Sequence, residues 1–132
     1  MQPNKDSIKT LAQIGFVACF RGMPQQALTI FEGIHAAEPA NAKIKTGLGI
    51  AYLNAYRMED AVAALSQSLA MEPDNTTAKN FLGLALKLGG KAEEGDRILR
   101  EVASQGNEDN KEFANAVLTS DVFNQQSAST QP

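Results

Sequence analysis

The sequence is poor in the residues and segments that several classes of protein need. Its 132 positions include no tryptophan, one cysteine, and aromatic residues at only 6%. One cysteine cannot form an internal disulfide and fits a reducing compartment. No run of 18 apolar residues is present, so the sequence predicts no transmembrane helix. Residues 1–6 lack the apolar core of a signal peptide, and we expect a cytoplasmic protein that does not bind membranes.

Charge and motifs exclude further classes. The formal net charge is −3, whereas a nucleic-acid-binding domain would carry a basic stripe. Neither Cys19 nor His35 has a metal ligand or a catalytic base at a useful spacing. The glycines at 89 and 90 lack the spacing of a phosphate-binding loop. We therefore expect no enzyme, no catalytic residue, no metal site and no cofactor.

What the sequence does contain is a repeat of itself every 34 residues. A glycine follows a large apolar residue at Gly15, Gly49 and Gly83, and a proline recurs at Pro39 and Pro73. A period of this length is typical of a helix–turn–helix unit that stacks on copies of itself to bury its apolar face. The sequence therefore predicts a curved array of helices with an inner groove.

The repeated positions have packing reasons. A glycine inside a helix costs about 1 kcal/mol relative to alanine, and we expect it to recur only where a neighbouring backbone approaches closely. The small residues Ala27 and Ala61 mark the matching place on each second helix. Phe31 and Leu65 follow four positions later, on the same face as these alanines. The small and large residues within each repeat and the 34-residue period thus predict the same fold.

The predicted architecture is all-α, with seven helices in a short superhelical solenoid. Residues 1–6 are a disordered lead, Ser7 caps the first helix, and residues 7–124 form one domain. Asn41 and Asn75 stand where later helices need caps. The polar segment 125–132 is expected to be a disordered tail. The domain divides into three repeats and a C-terminal capping helix, at about 8–41, 42–75, 76–109 and 109–124.

The repeat resembles the tetratricopeptide repeat. In the second unit the family's seventh, eighth, eleventh, twentieth, twenty-fourth and thirty-second positions are occupied by Leu48, Gly49, Tyr52, Ala61, Leu65 and Pro73. The third unit departs from the pattern, because Gly95 and Asn107 stand where alanine and proline are usual. Lys45 and Lys79 replace the aromatic residue or leucine of the fourth position. These departures suggest divergent repeats that serve one partner.

The resemblance also implies a binding surface, because first helices line the concave face in this family. The implied partner-binding groove is lined by Ala12, Phe16, Cys19, Phe20, Thr46, Ile50, Leu53, Asn54, Asn80, Leu84, Lys87, Leu88 and Leu118. Six of these residues predict an exposed apolar strip, and such strips usually mark binding sites: Phe16, Phe20, Ile50, Leu53, Leu84 and Leu88. The alternative is that they are core, since an apolar stripe at helical spacing is usually buried. An apolar groove suits an amphipathic helix better than a charged chain end.

A narrower resemblance is to the cytoplasmic needle-subunit chaperones of type III secretion systems. It lies in segments 11–15, 25–27, 34–35, 103–105 and 113–115. It implies a virulence-associated chaperone that buries the amphipathic helix of a small secreted needle protein and prevents premature polymerisation. It also implies a small helical co-chaperone. Two other interpretations stay open: a translocator chaperone of the same systems, and a structural adaptor in a larger assembly.

Overall fold

The computed structural model of the protein describes residues 4–120, and this part of the chain contains helices and no strand. The predicted all-α fold with seven helices is confirmed. The helices are α1 (Lys5–Phe20), α2 (Pro24–Ala37), α3 (Ala42–Asn54), α4 (Met58–Met71), α5 (Thr76–Leu88), α6 (Ala92–Gln105) and α7 (Glu108–Thr119). The predicted tail at 125–132 lies outside the described residues.

The helices belong to two compact units. Unit 1 is Met1–Pro73 and contains α1 to α4; unit 2 is Asp74–Pro132 and contains α5 to α7. In unit 1, α1 packs on α2, α3 packs on both, and α4 packs on α3. In unit 2, α6 packs on α5, and α7 packs on both. Each unit thus contains complete helix pairs, while the prediction of one domain over 7–124 stays a prediction.

Asparagine side chains cap the first helices of the second and third repeats. The Oδ1 atom of Asn41 accepts a hydrogen bond from the backbone N–H of Ile44 at 3.3 Å. The Oδ1 atom of Asn75 accepts one from the N–H of Ala78 at 3.0 Å. Such bonds satisfy donors that have no partner inside the helix. Both predicted caps are confirmed.

The start of the first helix was predicted wrongly. The cap is Asn4 rather than Ser7, because Asn4 Oδ1 accepts from the Ser7 N–H at 2.8 Å and α1 begins at Lys5. Residues 4–6 are therefore ordered, contrary to the expected lead of 1–6. Ser7 lies 34 positions before Asn41, so the repeat register itself favoured the wrong residue. The first helix extends one turn beyond that register at its N-terminal end.

The last helix departs from the 34-residue register. Two residues join α6 to α7, whereas four join α2 to α3 and α4 to α5. Asn107, in the position where proline is usual, becomes the cap of α7 because the connection is shorter. Its Oδ1 accepts from the Asn110 N–H at 2.9 Å. The predicted helix of 109–124 begins one residue earlier, at Glu108, and its helical conformation ends at Thr119, since the backbone is extended at Ser120. Positions 121–124 of that prediction lie outside the described residues.

The glycines of the repeat lie at close helix contacts, as predicted. A Cβ atom on Gly15 would lie 2.8 Å from the ring of Phe31. One on Gly49 would lie 2.8 Å from Leu65 Cδ2, and one on Gly83 would lie 2.6 Å from Leu99 Cγ. Real Cβ atoms do not approach so closely. Each helix pair therefore packs at its observed distance because the glycine has no side chain.

The ring of Phe31 forms the centre of the packing between α1, α2 and α3. It is fully buried, and it meets Phe16 edge to face with the ring centroids 4.9 Å apart. A Cβ atom on Gly47 would lie 2.5 Å from its Cζ atom. The ring therefore needs glycine on two helices, at Gly15 and at Gly47. Gly47 lies outside the repeated pattern, so periodicity did not identify it.

The third repeat replaces the usual alanine for a packing reason. A Cβ atom on Gly95 would lie 2.6 Å from the carbonyl oxygen of Gly83. The backbones of α5 and α6 approach each other so closely at this point that alanine does not fit. Gly95 is therefore required by the helix contact.

Candidate functional site

The predicted groove residues of unit 1 are mostly core. Ala12, Cys19, Ile50 and Leu53 are only 5%, 3%, 4% and 9% exposed. The expectation of an exposed apolar strip is wrong at Ile50 and Leu53. The reason is visible in α3, of which nine of 13 residues are buried. A helix that is apolar on all sides is usually enclosed by its neighbours. The apolar residues that recur on the first helices therefore indicate burial between helices and not an open groove.

The two aromatic members of the predicted groove differ in accessibility. Phe16 is half-buried, with its ring against Phe31. Phe20, at the C-terminal end of α1, is 72% exposed. Of the groove residues in unit 1, Phe20 is therefore the large apolar side chain that a partner can reach directly.

The polar groove residues of unit 1 hold helices together. The Thr46 and Ser68 hydroxyl oxygens lie 2.7 Å apart, and the Ser68 hydroxyl also donates to the carbonyl of Ala42 at 2.9 Å. The Asn54 amide donates to the carbonyl of Cys19 at 2.7 Å and ties the end of α3 to that of α1. These groups satisfy one another.

The single thiol is protected by its surroundings. Burial raises the pKa of the Cys19 thiol to about 11, and a hydrogen bond with Asn54 opposes this shift. A thiol with so high a pKa is neutral at physiological pH, and the thiolate is the reactive form. Cys19 therefore acts as a small lining residue of the core.

In unit 2 the predicted groove residues also face neighbouring helices. Asn80 is 1% exposed, and its amide donates to the carbonyl of Asn110 on α7 at 2.9 Å. Leu88 is half-buried. Leu84 and Leu118 are partly buried against the apolar cluster of Leu99, Val102, Ala114 and Val117.

Lys87 is a buried structural cation. Its side chain is 3% exposed, and its Nζ atom lies 2.8 Å from Asp96 Oδ1. The same Nζ lies 3.5 Å from the carbonyl oxygen of Val117, in the last turn of α7. A cation is favourable at that helix end because carbonyl groups leave partial negative charge there. Lys87 joins the three helices of unit 2 and is not available to a partner.

The lysines at the fourth repeat position also have structural roles. Lys45 Nζ donates to Gln67 at 2.8 Å, and Lys79 Nζ donates to Glu101 at the same distance. Both bonds span 22 residues and connect the first helix of a repeat to its second. The two lysines that depart from the family pattern thus form the same hydrogen-bonded connection between helices in two repeats.

The accessible apolar surface lies elsewhere than predicted. The strongly exposed large apolar residues within 4–120 are Leu11, Ile14, Val17, Phe20, Met23, Tyr56 and Met71, and all belong to unit 1. Leu11, Ile14 and Val17, here named the α1 stripe, are 39%, 50% and 54% exposed. Their spacing of three residues along one helix is visible in the sequence, but spacing alone does not distinguish an exposed stripe from a buried one.

The described residues contain neither a metal-holding cluster nor a membrane-spanning helix. No group of three histidine, cysteine or acidic side chains within 4–120 is placed to hold a metal ion. A bilayer-crossing helix, with the necessary length and apolar character, does not occur in this same stretch.

Comparisons with known proteins agree with this fold. Residues 21–68 match the tetratricopeptide repeat family model. A search of curated proteins gives no match. Among solved structures, the first tetratricopeptide repeat domain of Spaghetti (RPAP3), bound to the HSP90 peptide SRMEEVD, has a TM-score of 0.75 and 19% identity, covering 97% of this chain and 98% of that one.

Two further structures share the architecture. The type III secretion translocator chaperone SycD of Yersinia enterocolitica has a TM-score of 0.75 and 15% identity, over 94% of this chain and 88% of that one. The Sgt2 tetratricopeptide repeat domain of Aspergillus fumigatus has a TM-score of 0.74 and 17% identity, over 98% and 87%. The chain therefore has the fold of the tetratricopeptide repeat structures, and a type III secretion chaperone is among the structures with that fold.

Proposed function

We propose that this protein is a cytoplasmic chaperone for a small secreted needle subunit of a type III secretion system. It binds the amphipathic helix of that subunit, assisted by a small helical co-chaperone, and prevents premature polymerisation. The observation that carries the proposal is the concentration of exposed apolar side chains on unit 1. Apolar surface of this kind is typical of protein-binding sites.

The secreted helix is assigned to the accessible part of the predicted groove. In unit 1 this part is Phe20 with the half-buried Phe16 beside it on the same helix. Buried residues such as Ile50 and Leu53 support this surface from within. A charge introduced at Ile50 would therefore disturb folding and would not report on binding alone.

The co-chaperone is assigned to the α1 stripe. Exposed apolar side chains that lie together usually mark a binding site. The α1 stripe presents Leu11, Ile14 and Val17 at intervals of three residues along one helix. An amphipathic helix laid against this face would cover all three side chains.

Titration of variants with the two partners tests these assignments. A purified type III secretion needle subunit and a small helical co-chaperone are titrated calorimetrically into the folded full chain. Phe20→Asp should weaken binding of the needle helix at least about tenfold, which is about 1.4 kcal/mol. The double variant Ile14→Asp, Val17→Asp should weaken the co-chaperone instead.

Ala63→Asp, at an exposed position on α4, is the matched control and should bind both partners normally. Wild-type affinity in Phe20→Asp, with an unchanged circular dichroism spectrum, would exclude this site for the needle helix. Failure of the wild type to bind any needle-type subunit would reject the proposed function itself.

A translocator chaperone is the second candidate, favoured by the likeness of the fold to SycD. The structural adaptor is a third interpretation. The size of the co-purified partner separates the first two, since a large membrane-active protein indicates the translocator role. A permanent complex that never releases its partner indicates the adaptor.

A further inference from the structure

We propose that the partner helix carries carboxylates at one end and that these bind a lysine pocket beside the N-terminal end of α1. The lysine pocket is the cavity of about 280 Å³ in unit 1 that is lined by Lys5, Lys9 and Lys43. The inference rests on the proposed function in that it requires a helical protein partner. It adds the chemistry of one end of that helix and the distance between this end and the apolar contact.

Two helices of unit 1 supply the lysines. Lys5 and Lys9 are one turn apart on α1, and Lys43 lies in the first turn of α3. Lys9 and Lys43 are 34 positions apart and therefore occupy the same position in their repeats, whereas the third repeat has Thr77 there. The lysine pocket is therefore particular to unit 1 and is not a general feature of the repeat.

The floor of the lysine pocket is apolar. It is lined by Ile8, Ala12 and Ile44, which are buried in the core. The three lysines are exposed. Lysine side chains cover apolar surface with their methylene groups and keep the ammonium group in solvent. The pocket therefore presents positive charge that a partner can reach.

The three lysines lack an acidic partner within the protein. No ion pair among residues 4–120 involves Lys5, Lys9 or Lys43. The one carboxylate among the described lining residues is that of Glu38, and its Oε2 atom accepts a hydrogen bond from the Asn41 side-chain amide at 2.8 Å. Three lysines against one engaged carboxylate leave the pocket positive.

Other acidic residues do not reverse this charge. Asp6 is next to Lys5 on α1, and Glu72 borders a separate cavity that Glu38 also borders, but neither lines the lysine pocket. Unit 1 has six basic and six acidic residues, so the net charge of −3 comes from unit 2. Charges farther away than about 8 Å are largely screened at physiological ionic strength. The local lysines therefore decide which ligands are attracted.

The fold itself gains nothing from these lysines. Like charges four residues apart, as at Lys5 and Lys9, destabilise a helix, and a cation in the first turn opposes the helix dipole. The first turn of α3, which contains Lys43, has no acidic residue, whereas the first turns of α4 and α6 have two each. Carboxylates of a partner would offset this repulsion by charge-assisted hydrogen bonds.

The lysines share a face of α1 with the aromatic residues assigned to the partner helix. Lys9, Phe16 and Phe20 are separated by seven and four residues, which is the spacing of one helical face. At a rise of 1.5 Å per residue, the eleven residues from Lys9 to Phe20 span about 16 Å. A helix that lies along α1 with an apolar residue at Phe20 therefore brings residues about eleven positions away to the lysine pocket.

Synthetic amphipathic peptides test the spacing and the charge. Three helical peptides share one leucine-rich face, and each is titrated into the full chain by fluorescence anisotropy. The first has two glutamates about eleven residues from its terminal leucine and should bind at least about tenfold more tightly than the second, which has glutamines there. The third has its glutamates about four residues from that leucine and should bind no more tightly than the second.

Variants of the lysines assign the effect to the pocket. The double variant Lys9→Gln, Lys43→Gln should bind the first peptide about tenfold more weakly than wild type and the second peptide equally well. Lys9→Arg with Lys43→Arg should retain binding, because the charges are kept. Lys91→Gln with Arg100→Gln removes the same charge from exposed positions in unit 2 and is the matched control, which should also retain binding.

Several results would overturn the inference. Equal affinity of wild type for the first and second peptides would show that carboxylates are not recognised. An equal loss of binding in the control would show that only the net charge matters. Tighter lysine-dependent binding of single-stranded DNA or of phosphatidylserine vesicles than of the first peptide would assign the pocket to another class of ligand.

The two proposals fail in different ways. If the first peptide binds through the lysines but no needle-type subunit binds the wild type, the lysine pocket stands and the proposed function is rejected. If a needle-type subunit binds wild type and the Lys9→Gln, Lys43→Gln variant equally well, and the first peptide does too, the inference on the pocket alone is rejected.

Discussion

The two units differ in where they place apolar and charged side chains. Within residues 4–120, the strongly exposed large apolar residues all belong to unit 1. In unit 2, lysines on α5 pair with carboxylates on α6, Lys79 with Glu101 and Lys87 with Asp96, each at 2.8 Å. The proposed binding surface rests on this concentration of apolar side chains in one unit, because apolar side chains scattered singly over a surface are common and indicate no site.

The cores of the two units differ as well. In unit 1, a phenylalanine ring lies against two glycines, Gly15 and Gly47. The residue 34 positions after Gly47 is Phe81, whose ring lies 5.1 Å from that of Phe113 on α7. At this repeat position unit 1 has Gly47, which leaves room for the ring of another helix, whereas unit 2 has Phe81, whose own ring packs against another helix. Repeated sequence does not guarantee repeated packing.

The largest expected effect concerns the buried charge of unit 2. Lys87→Met should lower the free energy of unfolding by about 3 kcal/mol, because it leaves the Asp96 carboxylate without its cation. Urea denaturation measures the loss, and adding Asp96→Leu should recover part of it. Lys79→Met, at a more exposed pair, is the control and should cost less than about 1 kcal/mol. Equal losses for the two lysines would contradict the role of burial.

The next effect concerns the glycine–ring contact of unit 1. Gly47→Ala should cost about 1–3 kcal/mol, because its Cβ would overlap the ring of Phe31. Gly33→Ala is the control on α2, where a Cβ would meet nothing within 4 Å. It should raise stability by up to about 1 kcal/mol, since alanine favours the helix. Thermal denaturation distinguishes them, and a Tm for Gly47→Ala at or above wild type would disprove the contact.

The smallest effect is a pH dependence from Cys19 in unit 1. Its pKa in the folded protein is about 11, above the value of 9.0 for an unperturbed thiol. The unfolded chain therefore loses the proton first, and stability falls as pH rises between these values. At pH 10 the loss should reach about 1 kcal/mol relative to pH 8. Urea denaturation of wild type and Cys19→Ala at both values isolates this loss, and parallel behaviour would refute the assignment.

Local sequence signals predicted most of the fold. The 34-residue period located the contacts of Gly15, Gly49 and Gly83, and the asparagine caps at Asn41 and Asn75. These features depend on a helix and its immediate partner, so their cause lies within one repeat. Periodicity did not identify Gly47, because its contact is with the ring of Phe31 in the preceding repeat. The 34-residue period gives equivalent positions but not the contacts between repeats.

The candidate site was harder to predict, because exposure depends on what surrounds a helix. Ile50 and Phe20 both occupied predicted groove positions, yet one is 4% exposed and the other 72%. Hydrophobicity and spacing are the same whether a side chain faces a neighbouring helix or solvent. The exposure of the α1 stripe likewise depends on which helices pack beside α1 and cannot be read from the sequence of α1 alone.

The sequence by itself determined the helices, their repeat and the small residues at which paired helices meet, because these follow from local propensity, capping and periodicity. Tertiary structure alone decided which apolar residues are core and which are surface. It also turned Lys87 from a predicted groove residue into a buried ion-pair partner. Burial arises from packing between helices, and the sequence pattern of one helix does not determine where the neighbouring helices lie.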